Sequence, residues 1–242
     1  MLHTLWITLL YQPIYNLLLV FISIVPGGDV GIALIIVTLI VKALLFPLTQ
    51  RSIESQLKMR ALEPQIAKLK EETTDKVEQN KRTYELYKKN KINPFSGCLL
   101  ILIQLPIIIA LYIVLRDFNT TSVLPYSFVQ HPEVFNVKFL GLVDLTGKSI
   151  LFAVLAGLTQ FIQGKLMQGR QSKPQGQGMQ AQLAKTMQIQ MVYFIPLITA
   201  YVAYQFSAAV ALYLITSNIV TILQELYTAR RMKKGQAAIV VA

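Results

Sequence analysis

Five long apolar windows constrain the fold of this chain more than any other feature. They cover residues 30–49, 95–115, 149–167, 191–205 and 208–227, and the fourth of them is short. A helix needs about 20 apolar residues to cross a hydrocarbon core about 30 Å thick. Only 14% of the residues are charged, whereas soluble domains carry about a quarter. The sequence therefore predicts an all-α polytopic membrane protein with five transmembrane helices in one domain.

A weaker apolar segment, residues 5–25, precedes these windows and is interrupted by Gln12, Pro13 and Asn16. Two interpretations are open: a further span, or an amphipathic helix on the membrane interface, where Trp and Tyr side chains are enriched. We favour an N-terminal interfacial helix and turn within residues 1–29, because no Lys or Arg in this segment holds it in the cytoplasm. The missing basic residues also argue against a cleavable signal peptide.

The distribution of basic residues predicts the orientation in the membrane. Residues 51–92 carry eleven basic and seven acidic residues, and residues 164–187 carry four basic residues and no acidic one. The segment 117–148 has three acidic residues against two basic ones. Because Lys and Arg accumulate in cytoplasmic loops, we expect a multi-pass protein of the plasma (inner) membrane with its N-terminus outside. The C-terminal tail, residues 235–242, is then cytoplasmic.

Residues 51–92 also predict a cytoplasmic helical hairpin within the five-span core of residues 30–234. Apolar residues recur three or four positions apart in residues 53–69, and a second such run covers residues 77–90, which is the period of an α-helix. The polar connector 71–75 suits a turn. Two interpretations stay open: a solvated hairpin, or one that meets a partner or lies near lipid headgroups.

Side chains suited to catalysis or metal binding are scarce in this sequence. Cys98 is the single cysteine, so no disulfide framework or zinc site is available. The two histidines, His3 and His131, are far apart, and the spans contain no Asp or Glu except Glu225 at the end of the last one. The absence of a Walker-type glycine loop argues against an ATPase. We therefore expect no enzymatic activity, no cofactor and no metal.

Lys42 is the only charged residue in the apolar stretch 30–48. An ionisable residue at such depth is costly, usually faces protein or a water-filled cavity, and marks function. Uncharged polar residues accompany it in the spans. The alternative interpretation of each one is a hydrogen bond that holds neighbouring helices together, which contributes roughly 0.6–2 kcal/mol to their association. We predict a hydrophilic groove lined by Lys42, Thr38, Gln104, Gln160, Gln163, Ser217 and Asn218.

Several motifs resemble the YidC/Oxa/Alb3 membrane protein insertases. The segments LIVKALLFPLT (residues 39–49) and KMRALEPQI (58–66) are similar to that family's first core span and the start of its hairpin. NPFSGC (93–98) with IQLPI (103–107) resembles the second core span, and SNIVTILQ (217–224) the last. The resemblance covers residues 10–234, in order and with compatible spacing.

The resemblance implies a membrane protein insertase and chaperone with a positively charged groove for substrates, working without ATP hydrolysis. Its expected partners are nascent membrane proteins and the lipid bilayer. A ribosome, targeting receptor or translocon is also expected, contacted by the basic hairpin and by the basic residues Arg230, Arg231, Lys233 and Lys234 before the tail. We expect the short form, without a large periplasmic domain or a lipoprotein cysteine. Two departures stand out: Lys42 replaces the family's usual arginine, and residues 206–209 read FSAA instead of a Phe-Pro-Ser-Gly-like turn.

Two other function classes are open from the residues alone. The chain could be a small-anion transporter or channel that uses Lys42 as its anion site, although the sequence shows none of the internal repeats common in transporters. A membrane-anchored scaffold for soluble partners is the third class. Anion flux in liposomes favours the transporter, whereas insertion of a test substrate favours the insertase.

Overall fold

The structure, a computed structural model, is mostly helical and contains one two-stranded sheet among the residues that it describes. This confirms the predicted all-α class. The described residues are 6–72, 75–93, 96–116, 125–129, 132, 135–168 and 190–241. His3, His131, Asp117, Glu133 and most of the linker between residues 164 and 187 lie outside them.

The first helix, α1, covers Gln12–Ile24 and continues a π-helical turn at Ile7–Tyr11. Its proline lies in the first turn, where a missing N–H removes no helical hydrogen bond. One face of α1 is buried, with Leu18, Leu19 and Ile22 at most 1% exposed. The segment Ile7–Ile24 is also long and apolar enough to cross a membrane. Its placement on the interface therefore stays a prediction.

The second helix, α2, covers Val30–Ala61 and is 32 residues long. At 1.5 Å per residue it measures about 48 Å, which exceeds the thickness of the hydrocarbon core. Pro47 lies inside it without ending it. The sequence placed the start of the hairpin at residue 51, but the helix continues ten residues beyond that point.

The hairpin region is completed by two short helices, α3 at Glu63–Glu72 and α4 at Lys76–Lys89. Three side chains, which we call the hairpin cluster, are buried there: Leu62, Ile66 and Ile92. Residues from the end of α4, Leu86 among them, pack against this cluster. Because the start of α3 contacts the end of α4, the two helices are antiparallel.

The remaining apolar windows coincide with four helices. These are α5 at Ser96–Arg116, α6 at Ile150–Gln168, α7 at Ile195–Gln205 and α8 at Ala208–Val241. A π-helical turn at Gln190–Phe194 leads into α7. In the described part of the chain, four helices are long and apolar enough to cross a membrane, and α5 and α7 contribute shorter apolar stretches. That five helices cross the bilayer stays a prediction.

The chain divides into two compact units. The first comprises residues 1–45, 101–160 and 196–220, and the second comprises residues 46–100, 161–195 and 221–242. The first unit holds a large apolar cluster, which we call the bundle core. Its most buried members include Leu19, Ala33, Leu34, Val37, Ala110, Val114, Ala156, Ala203 and Ala211.

Small residues let two helices of the first unit approach closely. A Cβ added at Gly157 on α6 would lie 2.9 Å from the Ala200 Cβ and 3.2 Å from the Pro196 carbonyl oxygen on α7. Small side chains are typical of such close contacts between membrane helices. A larger residue at position 157 would therefore push α6 and α7 apart.

One end of the first unit is closed by a β-hairpin, which consists of β1 at Lys138–Phe139 and β2 at Val143–Asp144. The Phe139 ring lies directly over Gly31 of α2, where an added Cβ would be 2.3 Å from it. The segment after β2 caps α8, because the Ala208 and Ala209 amides donate to the Gly147 and Leu145 carbonyls. The starts of α2 and α8 are therefore held by one loop.

Candidate functional site

The predicted groove begins with two residues one turn apart on α2. Thr38 is fully buried, and its hydroxyl donates a 2.7 Å hydrogen bond to the Leu34 carbonyl of its own helix. Lys42, four residues later, is half-buried. The single hydroxyl donor of Thr38 is thus used inside the helix, and Lys42 supplies the charge at this position.

A polar contact joins α5 to α8 in the same unit. The Gln104 amide donates to the Tyr213 hydroxyl at 2.5 Å, and the same hydroxyl interacts with the Ser217 side chain one turn further along α8. Tyr213 is only 2% exposed. Two predicted groove residues, Gln104 and Ser217, are therefore brought together by a tyrosine that the sequence analysis missed. The sequence did offer a clue to Tyr213, because its hydroxyl lies four residues before Ser217 and thus on the same face of a helix.

A second polar contact joins α8 to α6. The Asn218 amide donates to the Thr159 hydroxyl at 3.1 Å and approaches the Ala156 carbonyl at 3.5 Å. Thr159 in turn donates to the carbonyls of its own helix. Asn218 is 5% exposed, so its amide is largely committed to holding these two helices together, as the alternative interpretation of such residues expects.

The two glutamines of α6 fall in different units. Gln160 is half-buried in the first unit. Gln163 belongs to the second unit, and its buried side-chain oxygen has no hydrogen-bond partner among the residues that the structure describes. A buried polar atom without a partner costs free energy, which makes this oxygen a place for water or a ligand. Its membership in the groove stays a prediction from the sequence.

Gln224 is a further buried polar residue of the second unit. Its amide donates to the Phe46 carbonyl at 3.0 Å and thereby joins α8 to α2 just before Pro47. The Pro47 ring removes one backbone donor from α2, and membrane helices tolerate this where neighbouring side chains supply polar contacts. The N–H that Pro47 lacks would have donated to the Ala43 carbonyl, four residues earlier. The Gln224 amide therefore joins α8 to α2 beside the proline without replacing that hydrogen bond.

The candidate groove residues offer hydrogen bonds and one positive charge. Six of the seven predicted residues, all except Gln163, belong to the first unit. Within the described ranges, no three His, Cys, Asp or Glu side chains form a group that could hold a metal ion. The arrangement offers amides, hydroxyls and one ammonium among apolar helices.

Comparisons with known proteins extend over nearly the whole chain. Residues 21–235 match the family described as 60Kd inner membrane protein. The membrane protein insertase YidC of Clostridium tetani is 33% identical over 213 residues, which cover 88% of this chain and 87% of that protein. The membrane protein insertase YidC of Psychromonas ingrahamii is also 33% identical, over 95% of this chain but only 36% of its own length.

The fold is similar to a crystal structure described as an active YidC insertase with its first transmembrane domain resolved. The TM-score is 0.54 at 25% sequence identity, and the likeness covers 89% of this chain and 45% of that one. The resemblance seen in the sequence is thereby confirmed, and the small-anion transporter finds no support. The match and the apolar helices also support a multi-pass protein of the inner membrane. The chain therefore belongs to the 60Kd inner membrane protein family, the family of the YidC membrane protein insertases.

Proposed function

We propose that this chain inserts newly made membrane proteins by taking their hydrophilic segments into a groove that contains Lys42. The position of Lys42 carries the proposal. It is half-buried on an otherwise apolar stretch of α2, twelve residues beyond Val30 and thus about 18 Å along the helix. In a hydrocarbon core about 30 Å thick, that position lies past the midplane.

The charge of Lys42 attracts acidic residues in the tail or short loop of a substrate. At 4 Å and an effective dielectric constant of 20, two opposite unit charges attract each other by about 4 kcal/mol. The half-buried side chains of Gln104 and Gln160 replace part of the water that the tail loses. Thr38, Ser217 and Asn218 contribute less, because they are buried and already hydrogen-bonded within the protein.

The apolar segment of the substrate leaves along the outside of α6 and α8. Leu151, Val154 and Leu158 form an exposed stripe on α6, and α8 exposes Ile219. A substrate helix that moves along such a stripe into lipid removes its own apolar surface from water, which contributes roughly 25 cal/mol per Å². This driving force supports insertion without ATP hydrolysis.

The proposed groove opens toward the cytoplasm and is closed at the start of α2. The β-hairpin and the ring of Phe139 cover that end of the helix, and the predicted orientation puts it outside. The basic hairpin of residues 51–92 and the basic residues 230–234 near the end of α8 then lie in the cytoplasm. There they contact a ribosome, a targeting receptor or a translocon, and attraction to ribosomal RNA is expected to weaken with salt.

Insertion by the purified protein tests this function. The chain is reconstituted in liposomes and given a single-span substrate with an acidic tail, and insertion is followed by protection of the tail from added protease. We expect Lys42→Arg to retain activity, because the positive charge remains. Lys42→Glu should lower insertion of the acidic-tailed substrate at least tenfold, since about 1.4 kcal/mol of lost attraction already gives that factor.

Two controls separate charge attraction from general damage. A substrate with a neutral tail should be inserted equally well by the wild type and the Lys42→Glu variant. The matched variant Lys88→Glu makes the same charge change at an exposed position on α4 and should leave both substrates unaffected. Equal insertion of the acidic-tailed substrate by the Lys42→Glu variant would remove the proposed role of the charge.

A further inference from the structure

The turn of the β-hairpin presents apolar side chains outward. Leu142 is 83% exposed and Leu140 is 60% exposed, and Phe135, which precedes β1 in the chain, is 40% exposed. Lys138, on β1, is exposed next to these residues. A polar loop in water would rarely place two leucines at its tip, because large apolar surfaces in contact with water mark interaction sites.

Hydrogen bonds hold the turn of the β-hairpin, and thus its exposed leucines, in one conformation. The buried Asp29 carboxylate accepts a 2.7 Å hydrogen bond from the Leu140 amide with one oxygen, and its other oxygen accepts from Gly31 and Ile32 at the start of α2. Leu140 adopts a left-handed backbone with φ of 51°, which is uncommon for a residue other than glycine. The tip is therefore held at the beginning of a membrane helix.

The β-hairpin packs beside the start of α6, which exposes apolar side chains of its own. The Phe139 ring packs edge-on against Phe152, with ring centroids 6.2 Å apart. Phe152 lies in the first turn of α6, next to the exposed Ile150 and Leu151. The contact between Phe139 and Phe152 thus places the β-hairpin beside the first turn of α6, which also exposes apolar side chains.

The charges near the tip suit the membrane surface. Lys138 can place its stem along apolar surface and its ammonium among lipid phosphates. The Asp144 carboxylate is turned to its own loop, where it accepts from the Thr146 amide at 2.9 Å and hydroxyl at 2.6 Å. A flanking lysine beside exposed leucines is the combination that anchors segments at a bilayer interface.

We propose that the β-hairpin is a lipid anchor, with Leu140 and Leu142 inserted at the boundary between headgroups and acyl chains of the leaflet at which α2 begins. The anchor adds a lipid contact outside the groove. It fixes the depth of the starts of α2 and α8, which the same loop caps.

Tryptophan fluorescence in lipid tests the anchor. Trp6 is the single tryptophan of the chain, so Trp6→Phe gives a silent background for Leu142→Trp. The matched control is Val77→Trp on α4, where an apolar side chain is 76% exposed among charged residues. Both variants are reconstituted in phosphatidylcholine vesicles with and without phosphatidylglycerol, and with bromine atoms at a shallow or a deep acyl position.

We expect the tryptophan at position 142 to be quenched by shallow bromines more than by deep ones, with emission at shorter wavelength than that of the tryptophan at position 77. Replacing Lys138 by Gln should reduce the extra quenching that phosphatidylglycerol adds. A tryptophan at 142 that is not quenched overturns the anchor, whether its emission indicates water or contact with another protein chain. Equal quenching at both positions overturns it as well.

Discussion

The bundle core and the hairpin cluster differ in how many apolar side chains they bury, although both are formed by helices. The bundle core of the first unit combines side chains from α1, α2, α5, α6, α7 and α8, many of them fully buried. The hairpin cluster of the second unit rests on Leu62, Ile66 and Ile92, each still 6–8% exposed. Since few buried contacts permit local opening at low free energy, we expect a rigid bundle and a hairpin that opens easily.

The largest effect is expected from a cavity in the bundle core. Leu34→Ala removes a side chain that is 1% exposed, and such substitutions cost about 2–5 kcal/mol. Leu44→Ala is the matched control, because Leu44 lies on the same helix and is 73% exposed. Reversible unfolding in mixed micelles with rising SDS measures both. Equal losses for the two variants would contradict the assignment of Leu34 to a packed core.

A smaller and local effect is expected in the hairpin. Ile66→Ala should cost about 2 kcal/mol, the low end of the range for such truncations, because its cluster is small and close to solvent. Hydrogen exchange should accelerate in α3 and α4 and remain unchanged in α2 residues of the bundle core. Faster exchange throughout the bundle would mean that hairpin and bundle unfold as one unit, and the comparison would fail.

The apolar windows were predictable because length and hydropathy alone decide whether a helix can cross lipid. Helices within residues 51–92 were predictable from periodicity, but their boundaries were not. The charged residues after position 50 suggested that the first span ends there, yet α2 continues to Ala61. The contacts of this helix were also beyond the sequence, because the Gln224 amide that donates to the Phe46 carbonyl lies 178 positions away.

The candidate groove was predictable as a set of polar residues and not as a set of contacts. Ser217 and Asn218 were singled out because polar side chains in spans need partners. Their partners could not be read from the sequence, since Thr159 is 59 positions from Asn218. Tyr213 was missed because a tyrosine in an apolar span fits lipid-facing and buried positions equally well. Asp29 was missed for the same reason of distance, as its contact with Leu140 joins residues 111 positions apart.

Two aspartates, one before α2 and one in β2, can be compared in the same way as the two clusters. Asp29 is buried and joins two separate segments, whereas Asp144 is exposed and bonds only within its own turn. Asp29→Ala removes the cap of α2 and should cost about 1 kcal/mol, within the range of 0.5–2 for lost N-caps. Asp29→Asn keeps one acceptor and should cost less. Hydrogen exchange at Leu140, which should accelerate in the Ala variant, is the site-specific measurement, and unchanged exchange there would contradict the role of Asp29.

The smallest effect is expected at Asp144. The Thr146 hydroxyl and amide hold the pKa of this carboxyl below its usual value, because hydrogen bonds to the charged form favour it. The stabilisation is therefore present above the pKa of the unfolded chain and is lost as the pH falls through the lower folded value. Thr146→Ala removes the hydroxyl and should raise the Asp144 pKa toward the usual value. Titration of the ¹³C-labelled carboxyl by NMR measures this shift, while SDS unfolding at neutral pH should barely change. An unchanged Asp144 pKa in the Thr146→Ala variant would show that the backbone amide alone sets the charge state. A large loss of stability toward SDS would show that this turn supports the bundle, as Asp29 does.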